Sequence, residues 1–524
     1  MLKCWISDRS GRSPGPGSSV DASRAADPIR LRRRDCRRAT GTARLVLSLR
    51  RLLALILPAA AVLALVSPAV ARDGVAEAEA PAIQIRAFTL ESGLKIVLAR
   101  TPTAPGQRPS VYVGAYAGFG QNDEPAVGVA HFVEHIAGNS APGVAAPPDR
   151  PGTEWLNGNA MTKANHLVYL TLVSPEGLEQ ATFMRLATLG ALRVARSTVE
   201  AQRARVLDEL RQGQSWAAWS AYKAADALAT GSPPALAVEL TTVEQATPES
   251  LAALLRRTHQ PSTGVLVLAG DLDLDEAEAI ARRSAAALGL DAPRPPAEAL
   301  PARTPVEQGS ALLAEGRPGS FTAGAAYAQP DHLQPDFPAF MVLDQLLLGG
   351  QDNASDPEDN RRSDASVLGR RLSARLGASG LWDGKVKGAG VPMAAEGDPS
   401  RYVIVFSLPG VETPGRVAEV LHASLVDIRR EELSETGIVA ARTALAAYYR
   451  RAFEDPSHRF LADHLARYVR DGRDPADVLK LPELIEGVDV QAVRGMLDRT
   501  LLAQTPAVAV IVPAAEPPAT PVAP

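Results

Sequence analysis

Residues 131–135 read His-Phe-Val-Glu-His, and no other stretch constrains the chain so tightly. On an α-helix, positions i and i+4 stack on one face, so His131 and His135 can grip one metal ion between them. Glu134 projects from a neighbouring angle of the same turn, close enough to handle a water on that ion. The order is the zinc-peptidase helix inverted, H-x-x-E-H in place of H-E-x-x-H. Histidine is scarce, eight in 524 residues, which makes a chance match uncommon. The competing reading is a helix whose histidines merely occupy a solvated or half-buried face.

Two histidines leave a zinc site one protein ligand short, because catalytic sites commonly use three and keep a fourth position open. Residues 198–228 have strongly helical composition and contain Arg-Val-Leu-Asp-Glu-Leu at 205–210. Glu209 follows His135 by 74 residues and shares a helix face with Gln202, Arg205 and Gln212. Asp208 points about 100° away, and Glu200 lies more than two turns back on another face. Spacing alone does not choose among the three acids.

The motifs resemble those of the pitrilysin/insulinase family, the inverzincin peptidases that include bacterial and mitochondrial processing peptidases. The likeness runs through residues 88–98, 113–119, the Gly-Val-Ala-His-Phe-Val-Glu-His helix at 128–135, Gly-Asn-Ala-Met-Thr at 158–162, Val168-Tyr169 and Val-Leu-Asp-Glu-Leu at 206–210. It covers most of residues 85–290. The resemblance implies one Zn²⁺ per chain on His131, His135 and Glu209, with Glu134 as the catalytic base. It also implies that Asn159 and Ala160 lie on an edge strand, whose open backbone groups pair with an extended peptide substrate. The plainer reading of Asn-Gly-Asn is a turn. Where the family usually carries an acid behind the first ligand shell, seven residues before the ligand glutamate, this chain has Gln202, which can accept a hydrogen bond but carries no charge. After His135 the family's bulky apolar residue and Lys-Gly-Thr turn are replaced by Ile-Ala-Gly-Asn-Ser-Ala-Pro, a change the sequence does not explain.

Residues 1–71 read as a leader. An Arg-rich segment precedes Arg50 and Arg51, then an apolar run over 52–66, then Ser-Pro-Ala-Val-Ala ending at Ala71. That pattern predicts a secretory signal peptide cleaved after Ala71, and the run is shorter than the ~20 residues a membrane span needs. The long stretch before it points to a true start near Leu45 or Val46. Residues 1–71 hold 13 of the 55 basic and 4 of the 59 acidic side chains, so the remainder has a formal charge of −13. That charge disfavours nucleic acid and anionic membrane surfaces as partners. Both cysteines, Cys4 and Cys36, fall in the leader, so the mature chain needs no disulfide. A periplasmic or secreted protein without stable membrane insertion is expected.

The remaining length suits two domains. Five prolines within 291–309 mark a linker between a catalytic domain at 82–290 and a second domain at 310–513, followed by an Ala/Pro-rich tail at 514–524. The expected fold class is α+β: two homologous pitrilysin/processing-peptidase-like domains, each a mainly antiparallel sheet covered by helices. The second domain lacks a metal motif, and His332, His422, His458 and His464 read as surface or packing residues. The resemblance implies a substrate-holding arginine and tyrosine flanking a Gly-Leu pair in this half. Aligned on Gly380-Leu381, those positions are Leu376 and Asp383, with Arg375 one residue away. The expected function is therefore zinc-dependent endopeptidase action on short or unfolded peptides, with a homologous subunit as heterodimer or homodimer partner. The alternative is a catalytically weak or inactive member acting in peptide binding or assembly.

Overall fold

A computed structural model describes residues 83–119, 128–163, 166–213, 217–230, 236–294, 311–316, 321–349, 366–378 and 401–513. In chain order the first half contains β1 (Gln84–Thr89), β2 (Lys95–Arg100), β3 (Val111–Ala117), α1 (Val129–Gly138), β4 (Ala141–Pro142), β5 (Trp155–Thr162), β6 (Leu167–Val173), α2 (Leu178–Ala187) and β7 (Leu192–Arg193). Then come α3 (Arg196–Gly213), α4 (Ala217–Thr230), α5 (Leu236–Gln245), α6 (Pro248–Thr258), β8 (Val265–Gly270) and α7 (Leu274–Ala287). The second half adds β9 (Ala311–Gly316), β10 (Phe321–Ala328), α8 (Phe337–Leu348), α9 (Val367–Leu376), β11 (Arg401–Leu408), α10 (Pro414–Glu431), α11 (Glu435–Phe453), α12 (Arg459–Arg470) and β12 (Ala507–Pro513).

The fold is α+β. One sheet has the order β1-β2-β8-β3-β6-β5, in which only β2 and β8 run parallel. A second sheet has the order β11-β10-β12-β9, parallel only between β12 and β9. The central strands are apolar at nearly every position, as Val-Leu-Val-Leu-Ala in β8 shows, so both faces of the first sheet must be covered.

Each sheet is covered on one face by helices close to it in sequence and on the other by a helix from the opposite half. In the first sheet, Ile96, Leu98, Val113 and Tyr169 pack with Phe132 of α1 and Ile280 of α7. Its reverse face, including Val97, Tyr112, Val168 and Val267, packs against Leu461, Leu465 and Tyr468 around α12. The relation is mirrored in the second sheet, whose Val403, Val405, Ala509 and Ile511 face Ala221, Ala224 and Ala225 of α4. Small residues let α4 come close. A Cβ added at Gly324 would meet the Ala221 carbonyl carbon at 2.8 Å, so only glycine fits. Arg401 of β11 pairs with Asp226 of α4 at 2.5 Å, and Tyr116 donates to Asp463 of α12 at 2.7 Å.

The helical stretch expected over 198–228 is thus two helices with separate roles. α3 serves the first half, and α4 roofs the second sheet. Three of the four second-half histidines are buried in packing positions. His332 contacts Asp471 at 2.8 Å, His464 packs on Phe460, and His458 bridges Thr101 and Ser110, while His422 is exposed. The predicted leader and tail lie outside the described residues, as does most of the predicted linker. Among the described residues, no helix is long and apolar enough to cross a membrane.

Candidate metal centre

α1 begins at Gly128, whose φ of 88° lies in the left-handed region. It buries Phe132, Val133, Ile136 and Ala137 against the sheet. That places His131, Glu134 and His135 on the adjoining face, towards α3 and β5. α3 crosses beside it and is tied there by Arg203, which donates to the carbonyls of Glu244 and Ala246 beyond α5 at 3.1 and 2.6 Å and lies over the Phe132 ring.

Three donor groups converge between these helices. Glu209 Oε2 lies 3.6 Å from His131 Nε2 and 3.3 Å from His135 Nε2, and all three ligand atoms fall within 4.8 Å of one another. A tetrahedral zinc at about 2.0–2.2 Å from each ligand separates them by about 3.3–3.6 Å, which the two Glu209–histidine distances match. Asp208 and Glu200 are exposed, and Glu200 pairs with Arg203. Of the three acids that spacing left open, Glu209 is the one whose carboxylate lies beside the two histidines.

The surrounding groups orient the donors. Gln202 Oε1 accepts from His135 Nδ1 at 3.2 Å, which leaves Nε2 as the ring nitrogen that faces Glu209. Asn139 Nδ2 donates to the His135 carbonyl at 2.8 Å and closes the last turn of α1. This contact accounts for one residue of the unexplained segment after His135. Glu134 is 6% exposed, and its Oε2 accepts from Thr162 Oγ1 at 2.8 Å. Thr162 had no assigned role from sequence; only its register on β5, pairing with Leu167 on the α1 side, reveals it.

The charges suit a cation. Burial pushes the Glu209 carboxyl up, but hydrogen bonds with His131 and His135 outweigh burial and hold it well below the usual carboxylate range. Burial likewise pushes His135 down, while its bond to Glu209 and the nearby Glu134 charge hold it above its ordinary value. In a metal-free site His135 and Glu209 thus stabilise each other's charged forms, as a cation would stabilise the carboxylate.

Among the described residues β5 is the edge of its sheet, hydrogen-bonded only to β6. Ala160 pairs with Tyr169 and lies under the C-terminal end of α1, where a Cβ on Gly138 would meet it at 3.6 Å. Asn159 pairs with Leu170 and so points to the opposite face. These two residues share the edge strand without sharing a side. In the second half, Arg375 forms an ion pair with Asp427 of α10, and Leu376 is buried in the core. Gly380, Leu381 and Asp383 lie outside the described residues.

This architecture, two sheets with three close donor side chains on two helices beside a strand edge, is shared with solved structures. The chain has the fold of the M16-like peptidases, the pitrilysin type. It is similar to a protease from Helicobacter pylori, with a TM-score of 0.64, 15% identity, and coverage of 82% of this chain and 100% of that one. It is also similar to a peptidase M16 inactive domain from Pseudomonas fluorescens, at TM-score 0.62, 15% identity and coverage of 82% and 98%. A third likeness is to the first half of the periplasmic protease PqqL of Escherichia coli, at TM-score 0.56, 17% identity and coverage of 82% and 92%. Against complete PqqL the chain spans 48% of the length. The sequence itself matches no family model and no curated protein.

Proposed function

We propose that the chain is a zinc-dependent endopeptidase that hydrolyses short or unfolded peptides. The observation that carries this reading is the convergence of His131, His135 and Glu209 with Glu134 held beside them by Thr162. Bound zinc would supply Lewis-acid chemistry, lowering the pKa of a water and polarising the scissile carbonyl. His131, His135 and Glu209 hold the ion, and Gln202 fixes the His135 tautomer. Glu134 takes the proton from the attacking water at a carboxylate oxygen and delivers it to the leaving amine. Thr162 keeps one Glu134 oxygen engaged, which leaves the other for that proton. The peptide backbone adds to the open edge of β5 near Asn159 and Ala160 and is thereby aligned with α1.

The second half supports a divided enzyme. Arg375 is engaged by Asp427 and Leu376 is buried, so neither is placed to hold substrate. A homologous subunit, as heterodimer or homodimer partner, would supply that function; PqqL, of which this chain matches about half, carries further chain of its own. The same observation favours a second reading, a weakly active or inactive member that binds peptides or serves in assembly, like the neighbour described as an inactive domain. Export to the periplasm or secretion, through a signal peptide cleaved after Ala71, completes the proposal.

Glu134→Gln tests it. The variant should keep one zinc per chain and lose hydrolysis of a quenched fluorescent peptide library, assayed alone and with any co-encoded homologue. Retained hydrolysis would refute the assigned base, and wild-type silence despite bound zinc would favour the binding role.

A further inference from the structure

We propose that Arg205 is a specificity-determining residue that receives a carboxylate of the peptide beside the metal centre; this rests on the peptidase reading above. On α3, Gln202, Arg205 and Glu209 follow at i, i+3 and i+7 and so share a face. The outer two touch the histidine pair directly: Gln202 contacts His135, and Glu209 contacts both histidines. Arg205 lies between them on that face and touches Glu209. Its Nε sits 3.4 Å from Glu209 Oε1, the oxygen turned away from the histidines, and its side chain is 39% exposed.

That contact engages one edge of the guanidinium and leaves the two Nη groups as a planar fork, the geometry that binds a carboxylate through two parallel hydrogen bonds. Arg203, two residues earlier, is consumed by backbone carbonyls and the Phe132 ring. The arginines of this helix are thus divided between holding the helix and lying beside Glu209. Competing acids are occupied or averted: Glu200 pairs with Arg203, Glu244 lies near Arg211 at 3.8 Å, and Asp208 is exposed on another face.

Charge counting points the same way. With a divalent cation and neutral imidazoles, Glu209 and Glu134 bring the centre to zero. Gln202 adds nothing, so Arg205 leaves one net positive charge beside the scissile bond. A peptide carboxylate neutralises that charge and a basic side chain is repelled by it. Two sources offer the same chemistry: an acidic side chain flanking the scissile bond, or the free C-terminus of a short peptide.

The test uses the full chain carrying Glu134→Gln, loaded with zinc, so that binding is read without turnover. Three labelled peptides of otherwise identical sequence are titrated by fluorescence anisotropy: one with a glutamate and an amidated end, one with glutamine and a free carboxyl end, one with glutamine and an amide. At least one carboxylate peptide should bind about tenfold or more tighter than the neutral one. Which of them does so identifies the source. Arg205→Gln should erase the preference, Arg205→Lys should retain only part of it, and Arg205→Glu should reverse it in favour of a lysine peptide. Zinc titration of each variant separates this role from mere support of Glu209, because lost support would weaken all three peptides alike. Equal affinities in the parent, or a preference that survives Arg205→Gln, would overturn the proposal. Absence of hydrolysis in the wild-type chain, both alone and with any co-encoded homologue, with the preference intact would refute the peptidase reading and leave this assignment standing.

Discussion

The entry into α1 can be tested by one methyl group. Gly128 has a φ of +88°, and a Cβ there would lie 2.9 Å from Glu239 Cγ, 3.0 Å from its Cβ and 3.1 Å from its Cα. Glu239 cannot retreat: it is 2% exposed and its carboxylate is held by Lys223 at 2.5 Å. In Gly128→Ala the left-handed conformation costs about 1–2 kcal/mol and the crowding about 1–3 kcal/mol. Reduced freedom of the unfolded chain returns about 0.4–1 kcal/mol, so the net loss should be near 3 kcal/mol. Gly106→Ala is the matched control, with φ +82° and nothing within 4 Å of the added atom, and should cost about 1 kcal/mol. Urea denaturation of the chelated proteins measures both. Zinc affinity should fall in Gly128→Ala alone, because His131 sits in the turn that would be displaced. Equal costs for the two variants would show that the wall at Glu239 yields, and unchanged zinc affinity would show that α1 is positioned by something else.

Other outcomes follow from the same contacts. Gln202→Leu removes the acceptor for His135 Nδ1 and should weaken zinc binding about 10–100-fold by competition titration, with the fold unchanged by circular dichroism. Gly324→Val should push α4 from the second sheet and lower the urea midpoint by more than the same change at half-buried Gly410, where an added Cβ meets nothing within 4 Å; similar midpoints would contradict the close approach. Burial holds His259 and His464 down at about 3, so the unfolded chain alone takes up their protons as pH falls below about 6.5. Stability in the metal-free protein should therefore be highest above that value and decline by about 2–3 kcal/mol per pH unit from these two residues between pH 6 and 4. His135, held above its ordinary value, adds stability that is fully present below about 6.5 and lost as pH rises through its raised value, so it leaves the slope between pH 6 and 4 unchanged. A flat profile from pH 6.5 to 5 would contradict the burial of both.

The centre was legible where chemistry and periodicity coincide. The two histidines and Glu134 sit at helical spacing within one short segment, so local geometry already brings them together. Glu209 shared its neighbourhood with Asp208 and Glu200, and a linear spacing of 74 residues does not reveal which acid faces a helix folded elsewhere. Thr162 and Asn139 were invisible because their partners are set by strand register and by the last turn of α1. The apolar run at Arg401–Leu408 and the helical periodicity at Pro414–Glu431 were readable as a strand and a helix. The assignment of α4 to the far sheet was not, since Ala221, Ala224 and Ala225 form an unremarkable small-residue stripe until Gly324, some hundred residues later, meets it.

That crossing has a consequence for how the chain comes into being. During synthesis the first sheet is complete once β8 has emerged, yet its reverse face stays bare for some two hundred residues until α12 arrives. Over the same interval α4 waits with no sheet beneath it. A fragment ending before α12 would leave the face of Val97, Tyr112, Val168 and Val267 without its cover, and the second half alone would lack α4. The two halves are thus bound to a shared fate: they mature together, and a handling factor that shields nascent apolar surface has its longest task in the span between them.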